Sequence, residues 1–410
     1  VATALSWIFL SVFGCLPFVF SREIPSFTNA LFETISGFTT TGASILEDVE
    51  ALSHCALLWR SFTHWIGGMG VLVFLLAIVP MSGGSNINLM RAESPGPSVG
   101  KLVPKMVSSA RILYGIYFGL TLLEIVLLIL GGMPLFDSIV HALGTAGTGG
   151  FGIKADSIAS YSHFCQWVIT VFMLLFGVSF NMYYLLLIKR WREVLKSNEL
   201  KCYLGISLAA MIIIVLSIMP LYGSIADAVR LSAFQVSSIV TTTGYATADF
   251  DAWPSLAKAV LLILMFFGGC MGSTAGGLKM SRVTVLAQIA RNDLRHALRP
   301  REVSTVILNG RRVDAQGERQ ILSYFALYIA VIGAVFLLIS FEPFGIETNF
   351  SATVSCVNNI GPGFGQVGPS LSYADYSAFS KLVLSFAMLL GRLEIYPLLL
   401  LLSPQLWTKR

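Results

Sequence analysis

Apolar residues run through this chain in long stretches that carry no charge. The runs 2–20, 164–188, 203–226 and 321–341 contain no Asp, Glu, Lys or Arg, and the run 112–130 is broken only by Glu124. Each reaches or passes about 18 residues, the length at which an apolar run predicts a membrane-crossing helix. Between the long runs lie four shorter stretches of mixed apolar and small polar character, each ending in glycine. They read LFETISGFTTTG (31–42), SIVHALGTAGTG (138–149), AFQVSSIVTTTG (233–244) and SATVSCVNNIG (351–361). Taken singly, each is an ordinary Ser/Thr-rich turn. Taken together, their glycines at 42, 149, 244 and 361 recur with a period of roughly one hundred residues, the mark of an internal repeat.

The flanks repeat as well. A long apolar run precedes each stretch, and another follows with its own glycine at 67, 177, 268 and 391. A segment of about 10 to 12 residues rises too little as a helix to cross about 30 Å of hydrocarbon. It can enter and turn back, provided it is buried in protein or lines water. The predicted fold is an all-α polytopic membrane protein built from four parallel span–re-entrant pore helix–span units around a pseudo-fourfold central pore. The units occupy 1–80, 112–190, 202–290 (with a broken last helix) and 321–408, with linkers at 81–111 and 291–320.

Composition agrees: 55% of the 410 residues are hydrophobic and 12% charged, about half the charge of a soluble domain. Of the 27 Lys and Arg, 20 fall in the connections between units and the C-terminal tail, against 7 of the 22 Asp and Glu. Those connections are therefore cytoplasmic by the positive-inside bias, and the glycine loops lie on the outer side. A shared orientation makes the repeats parallel, where inverted repeats would alternate. The net charge of +5 is thus a membrane-topology signal, and no nucleic-acid partner is expected. The six cysteines show no CxxC pairing, so buried free thiols are expected and no transition metal.

Four parallel re-entrant loops place four glycines around one axis. Glycine admits positive φ and close backbone approach, and inward carbonyls can replace the hydration shell of an alkali cation. Pore helices running inward point their partially negative C-termini at that axis. Glu47, Asp48, Glu50, Asp249 and Asp251 on the outer side either concentrate cations or form ordinary solvated loops. The stretch GGCMGSTAGG (268–277) packs five glycines into ten residues, each costing roughly 1 kcal/mol against alanine in a helix. It predicts a broken helix and a mobile loop; close helix packing through small residues is the alternative. Arg392, within an apolar stretch, must face an interior or water, and Glu394 is a poor partner for it because i,i+2 side chains diverge. GxGxxG at 147–152 lacks a βαβ context and is discounted, while His64, His141 and Glu124 read as interhelical hydrogen-bonding groups. The basic stretch 291–312 suits anionic lipid, a partner or a plain cytoplasmic loop.

TTTG at 39–42 and 241–244, AGTGG at 146–150, NNIGPGFG at 358–365, HWIGGMG at 64–70, GGCMGSTAGGLK at 268–279, GRLEIYP at 391–397 and RAESPGP at 91–97 together resemble the Trk/Ktr/HKT potassium transporter superfamily, and within it the TrkH-type subunits. The resemblance covers essentially the whole chain. It implies a K⁺-selective filter formed by Thr40, Thr41, Gly42, Gly147, Thr148, Gly149, Thr242, Thr243, Gly244, Asn359, Ile360 and Gly361, with K⁺ in the filter, no transition metal and no other cofactor. Glycine at all four positions implies K⁺ preference, with Na⁺ and Rb⁺ as further permeants; serine at the first position accompanies Na⁺ preference in some plant members. It further implies an intramembrane gate at Gly268, Gly269, Gly272, Gly276 and Gly277, with Arg392 projecting beneath the filter; a bridge from Arg392 to carbonyls or Glu124 is the alternative. A homodimer in the bacterial inner membrane, opened by a TrkA-type cytoplasmic nucleotide-binding ring, is implied. TrkH-type proteins carry further N-terminal helices, and this chain opens with Val1 inside an apolar run, so an upstream segment is expected. Two other functions stay open: a carrier coupling K⁺ to H⁺ or Na⁺, disfavoured by the few titratable groups in the spans, and an intramembrane protease, for which no paired nucleophile and base is found.

Overall fold

The structure, a computed structural model, describes residues 2–70, 106–302, 304–401 and 403–404. Most of the 81–111 linker, with its RAESPGP run, and the closing Lys409 and Arg410 lie outside the described residues.

The chain is mostly helical, and one arrangement recurs. The first copy has α1 (Ala2–Gly14) and α2 (Leu16–Phe20), then a short α3 (Phe27–Phe38), a loop, and α4 (His54–Gly68). The second has α5 (Met106–Leu130), a short α6 (Leu135–Gly147), a loop, and α7 (His163–Phe176) with α8 (Phe180–Leu187). After α9 (Trp191–Lys196), the third has α10 (Asn198–Tyr222), α11 (Ile225–Val240), a loop, and α12 (Ser255–Leu264). α13 (Met280–Leu298) and a hairpin of β1 (Ile307–Leu308) and β2 (Arg311–Arg312) lead to the fourth: α14 (Ala315–Ile339), α15 (Ile346–Asn358), a loop, α16 (Ala378–Arg392) and α17 (Tyr396–Leu401).

Among the described residues, four helical segments are long and apolar enough to span a membrane: Thr3–Phe20, Arg111–Leu130, Asn198–Tyr222 and Ala315–Ile339. Three of them carry exposed large apolar side chains, Leu123 and Val126, Leu208, Ile212 and Leu216, and Leu337, which suit contact with lipid. The run 164–188, predicted as one span, departs from expectation: α7 and α8 meet at 91°. The break has a local cause. The carbonyl of Gly177 accepts from Cys270 N (2.8 Å), and Phe180 N donates to the carbonyl of Gly272 (3.0 Å). Backbone groups that would continue the helix are committed to a neighbouring loop.

The short helices have 12, 13, 16 and 13 residues, roughly 18 to 24 Å at 1.5 Å per residue, less than the hydrocarbon thickness. Their C-terminal halves are buried almost without exception, from Phe32 to Phe38, Leu231 to Val240 and Ser351 to Asn358. Such depth is tolerable for Ser/Thr-rich sequence because the hydroxyls turn back on their own helix. Thr34 donates to the Ala30 carbonyl (2.8 Å), Thr145 to His141 (2.9 Å), Ser237 to Ala233 (2.7 Å) and Thr353 to Asn349 (2.9 Å), the i−4 pattern of buried helical hydroxyls. α4 packs on α6, α7 on α11 and α16 on α3, so these short helices are wedged between neighbouring copies of the motif. Between α12 and α15 a cleft of about 330 Å³ opens, lined by Lys258, Leu262, Glu347 and Phe350.

Candidate functional site: a closed ring of four loops

Each short helix ends in the same backbone turn. Thr40, Thr148, Thr242 and Asn359 have φ of 54, 55, 57 and 57°, and two residues on Gly42, Gly150, Gly244 and Gly361 have φ of 78, 78, 85 and 103°. Left-handed conformation is uncommon outside glycine, so four non-glycine cases in register mark a conformation imposed by the surroundings. The register corrects the alignment of the second loop. Its equivalent triple is Thr148, Gly149 and Gly150, one residue beyond Gly147, Thr148 and Gly149. Gly147 is the last residue of α6 and packs against the backbone of His64; it is the counterpart of Thr39 and Thr241. AGTGG offers two glycines at the right distance, and the helix end chooses the later.

The four loops touch in cyclic order. A β-carbon on Gly42 would strike the carbonyl oxygen of Gly149, one on Gly150 that of Thr243, one on Gly244 that of Ile360, and one on Gly361 that of Thr41 at 2.6 Å. The glycine of each loop therefore abuts the middle carbonyl of the next, and the fourth loop returns to the first. Glycine is required here twice over, by φ and by space. The carbonyl of Gly361 itself accepts from the Tyr373 hydroxyl (2.8 Å).

The first and third loops are close copies. Thr39 and Thr41 hydroxyls pair at 2.8 Å, as do Thr241 and Thr243 at 2.8 Å, with Thr39 and Thr241 donating back to Ile35 and Ser237 (both 2.6 Å). In the fourth loop Asn359 substitutes an amide, donating to Thr41 Oγ1 (3.0 Å) and the Met388 carbonyl (2.9 Å). Sequence reasoning passed over a tie between the first two loops. Arg60 on α4 and Glu33 on α3 form a buried ion pair at 2.8 Å, 3% and 0% exposed. Glu33 also accepts from Ser44 Oγ (3.0 Å) and Ile45 N (3.0 Å), while Arg60 donates to the Gly152 carbonyl (3.2 Å) and lies over the Phe151 ring. One ion pair thus joins the first and second loops. A lone acid and a lone base in apolar stretches were the available signal.

His64 bridges the same two loops: Nδ1 lies 2.8 Å from the Gly37 carbonyl and Nε2 accepts from Phe151 N (3.3 Å), which places the proton on Nδ1. Two of the loop acids, Asp251 and Glu50, also act as ties. Asp251 binds Lys258 (3.0 Å) and accepts from Gly365 N (3.1 Å), and Glu50 accepts from Ala155 N (3.2 Å). Arg230 beside Asp227 holds that carboxyl below the usual carboxylate range. Glu124 is fully buried, with the Thr145 hydroxyl of α6 as its nearest polar neighbour.

Between α12 and α13 the chain is not helical over 268–279, and Gly268, Gly269, Gly272, Gly276 and Gly277 all fall in this loop. Gly272 and Gly277 have φ of 76 and 67°. The loop lies against the ring: Gly276 N donates to Thr242 Oγ1 (2.7 Å), and Gly276 packs on Asn358 and Asn359. Arg392 ends α16 and donates to the carbonyls of Thr274 (2.8 Å), Gly68 (2.8 Å) and Gly67. It straps the glycine loop to the end of α4, which favours the carbonyl bridge among the alternatives for this residue. Glu394 pairs with Arg282.

A lipid-facing helical bundle with short inward helices that end on a shared ring of loops defines a polytopic integral membrane protein. Over residues 1–409 the chain matches the family model described as "TrkH: Cation transport protein". It is 34% identical over 412 residues to the Trk system potassium uptake protein TrkG of Escherichia coli K12, covering 98% of this chain and 83% of that protein. It is also 34% identical over 410 residues to the TrkH of Salmonella typhimurium, covering 98% and 84%. The crystal structure of the potassium transporter TrkH from Vibrio parahaemolyticus matches with a TM-score of 0.87 at 31% identity, covering 99% of this chain and 84% of that one. The chain belongs to the TrkH cation transport protein family, a family of transporters and not of enzymes.

Proposed function

We propose that the chain carries K⁺ across the membrane through the axis of the loop ring, in the manner of a channel with a carbonyl filter. The observation that carries this reading is the cyclic closure of the four loops, each glycine seated on the middle carbonyl of the next. Carbonyls of Thr40, Thr41, Thr148, Gly149, Thr242, Thr243, Asn359 and Ile360 would replace the water shell of the dehydrating ion. The C-terminal ends of α3, α6, α11 and α15 abut the ring and supply partial negative charge without a titrating group. The four copies of the helical motif serve as parallel units about a pseudo-fourfold pore. Glycine at 42, 150, 244 and 361 favours K⁺ over Na⁺, with Rb⁺ a substitute permeant, as the potassium uptake of the relatives also suggests.

The glycine loop 268–279 and its Arg392 strap form the gate beneath the filter in this reading. A homodimer in the plasma membrane, regulated by a cytoplasmic nucleotide-binding ring, completes the assembly. Rb⁺ uptake into proteoliposomes under an imposed potential tests it. Flux driven by potential alone supports the pore. Flux that demands an added H⁺ or Na⁺ gradient indicates a coupled carrier, and no flux with the cytoplasmic partner supplied overturns the reading.

A further inference from the structure

The glycine loop is closed at its base by one carboxylate. Glu199, the second residue of α10, is 3% exposed. Its Oε1 accepts from the backbone N–H of Met271 inside the loop (2.6 Å) and from that of Ser281 just past its end (3.1 Å). Bonds from N–H to a carboxylate are of the stronger, charge-assisted kind, and here a single oxygen gathers both sides of the loop.

Glu199 is itself tied to the cytoplasmic hairpin. Asn309 and Gly310, between β1 and β2, have φ of 49 and 77°, the two left-handed residues that a two-residue hairpin turn needs. The turn presents the Asn309 side chain to the start of α10. Its Oδ1 accepts from Ser197 Oγ (3.0 Å), Asn198 N (3.1 Å) and Glu199 N (3.4 Å), while Ser197 Oγ accepts from Leu200 N (3.3 Å). First-turn N–H groups have no partner within their own helix; two of these are supplied from 111 and 110 positions downstream. The hairpin is fixed in turn to α13, where Gln288 exchanges two hydrogen bonds with the backbone of Ile307 (both 3.0 Å). Since α13 leaves the glycine loop directly at Met280, loop, helix start and hairpin form one closed circuit.

We infer that Glu199 is the positioning residue of the glycine loop and that Asn309 sets Glu199, so that withdrawing the hairpin from α10 frees the loop. This rests on the gate reading above. The test uses the full chain in proteoliposomes with Cys55 and Cys202 replaced by serine, leaving Cys270, buried in the loop, as reporter. Glu199→Ala and Asn309→Ala should each speed maleimide labelling of Cys270 at least fivefold. Their combination should add little, because both act on one path. Glu199→Gln keeps an acceptor oxygen without the charge and should fall between wild type and alanine. Labelling of Cys356, buried in α15, should stay at the wild-type rate. Unchanged Cys270 labelling, or acceleration only in step with Cys356, overturns the inference. Rb⁺ flux on the same variants separates the two readings. Faster Cys270 labelling with unchanged flux keeps the latch and removes the gate role. Raised flux in Arg392→Ala, with unaltered Cys270 labelling in Asn309→Ala, keeps the gate and removes the latch.

Discussion

The backbone N–H of Gly276 donates to the side-chain hydroxyl of Thr242 at 2.7 Å, so the third loop of the ring and the glycine loop share a hydrogen bond. The equivalent hydroxyls are employed differently. Thr148 donates to the Gly147 carbonyl (2.6 Å), and Thr40 Oγ1 has no partner among the described residues. The four loops share one backbone turn and differ in side-chain contacts, and one difference falls where the glycine loop touches the ring.

That difference allows a matched pair of substitutions. Thr242→Val is nearly isosteric but leaves the buried Gly276 N–H without its acceptor, a loss of about 1–3 kcal/mol. In the gate reading this destabilises the loop where it stands and raises Rb⁺ flux by roughly 5- to 100-fold, since about 1.4 kcal/mol is a factor of ten. Thr40→Val makes the same chemical change in the first loop and breaks no bond to the glycine loop. Its flux should stay within about twofold of wild type, as expected where no partner is left unsatisfied. Equal effects of the two would dissociate the Thr242 contact from gating.

Arg392 offers a second test. Its guanidinium reaches carbonyls on two separate elements, Thr274 on the glycine loop and Gly67 and Gly68 on α4. Arg392→Ala removes strap and charge together and should raise flux. Arg392→Lys keeps the charge but loses the planar fork that spans several acceptors, so it should give an intermediate flux if strapping matters. A lysine variant indistinguishable from wild type would assign the role to charge alone.

The second loop carries the register. Gly150→Ala, Gly42→Ala and Gly244→Ala should each lower discrimination against Na⁺, because each new β-carbon meets a backbone carbonyl of the next loop at a positive φ. Neither partner can move aside as a flexible side chain would. Competition of Na⁺ against Rb⁺ uptake reads the change. If Gly150→Ala keeps wild-type discrimination while Gly42→Ala loses it, the ring assignment of the second loop fails.

Spans and loops were legible for different reasons. Uninterrupted runs such as 203–226 and 321–341 name their own structure, because lipid leaves a helix as the solution. TTTG was legible through repetition, two copies flanked alike. The register of AGTGG was not, since two glycines fit and only the end of α6 at Gly147 decides between them. The bend after Phe176 was hidden in an apolar run because its cause lies elsewhere, in backbone bonds from Gly177 and Phe180 to the loop at 270–272. Glu199 was silent for the same reason: its partners sit 72 and 82 residues away. What depends on one segment's own composition could be read; what depends on a backbone group arriving from another segment could not.

The Glu33–Arg60 pair makes the last prediction, because burial reverses the usual expectation for an ion pair. Both side chains are almost fully removed from solvent, at 0% and 3% exposure, so removing one partner strands a charge. Glu33→Gln and Arg60→Met should each destabilise the protein by about 3–5 kcal/mol, while replacing both with apolar residues is much less harmful to stability than the two losses added together. Stability and selectivity should then part company. The double variant Glu33→Leu/Arg60→Met recovers much of the melting temperature, yet it still lacks the acceptor for Ser44 and Ile45 and the donor to Gly152. The first and second loops are no longer tied, and discrimination between Rb⁺ and Na⁺ should remain impaired. Thermal unfolding followed by size-exclusion chromatography, with cation competition on the same preparations, measures both. A double variant whose melting temperature falls by the sum of the singles would mean that the pair acts as two independent contacts. One that recovers discrimination along with stability would mean that packing, and not the ion pair's reach to Gly152, aligns the first two loops.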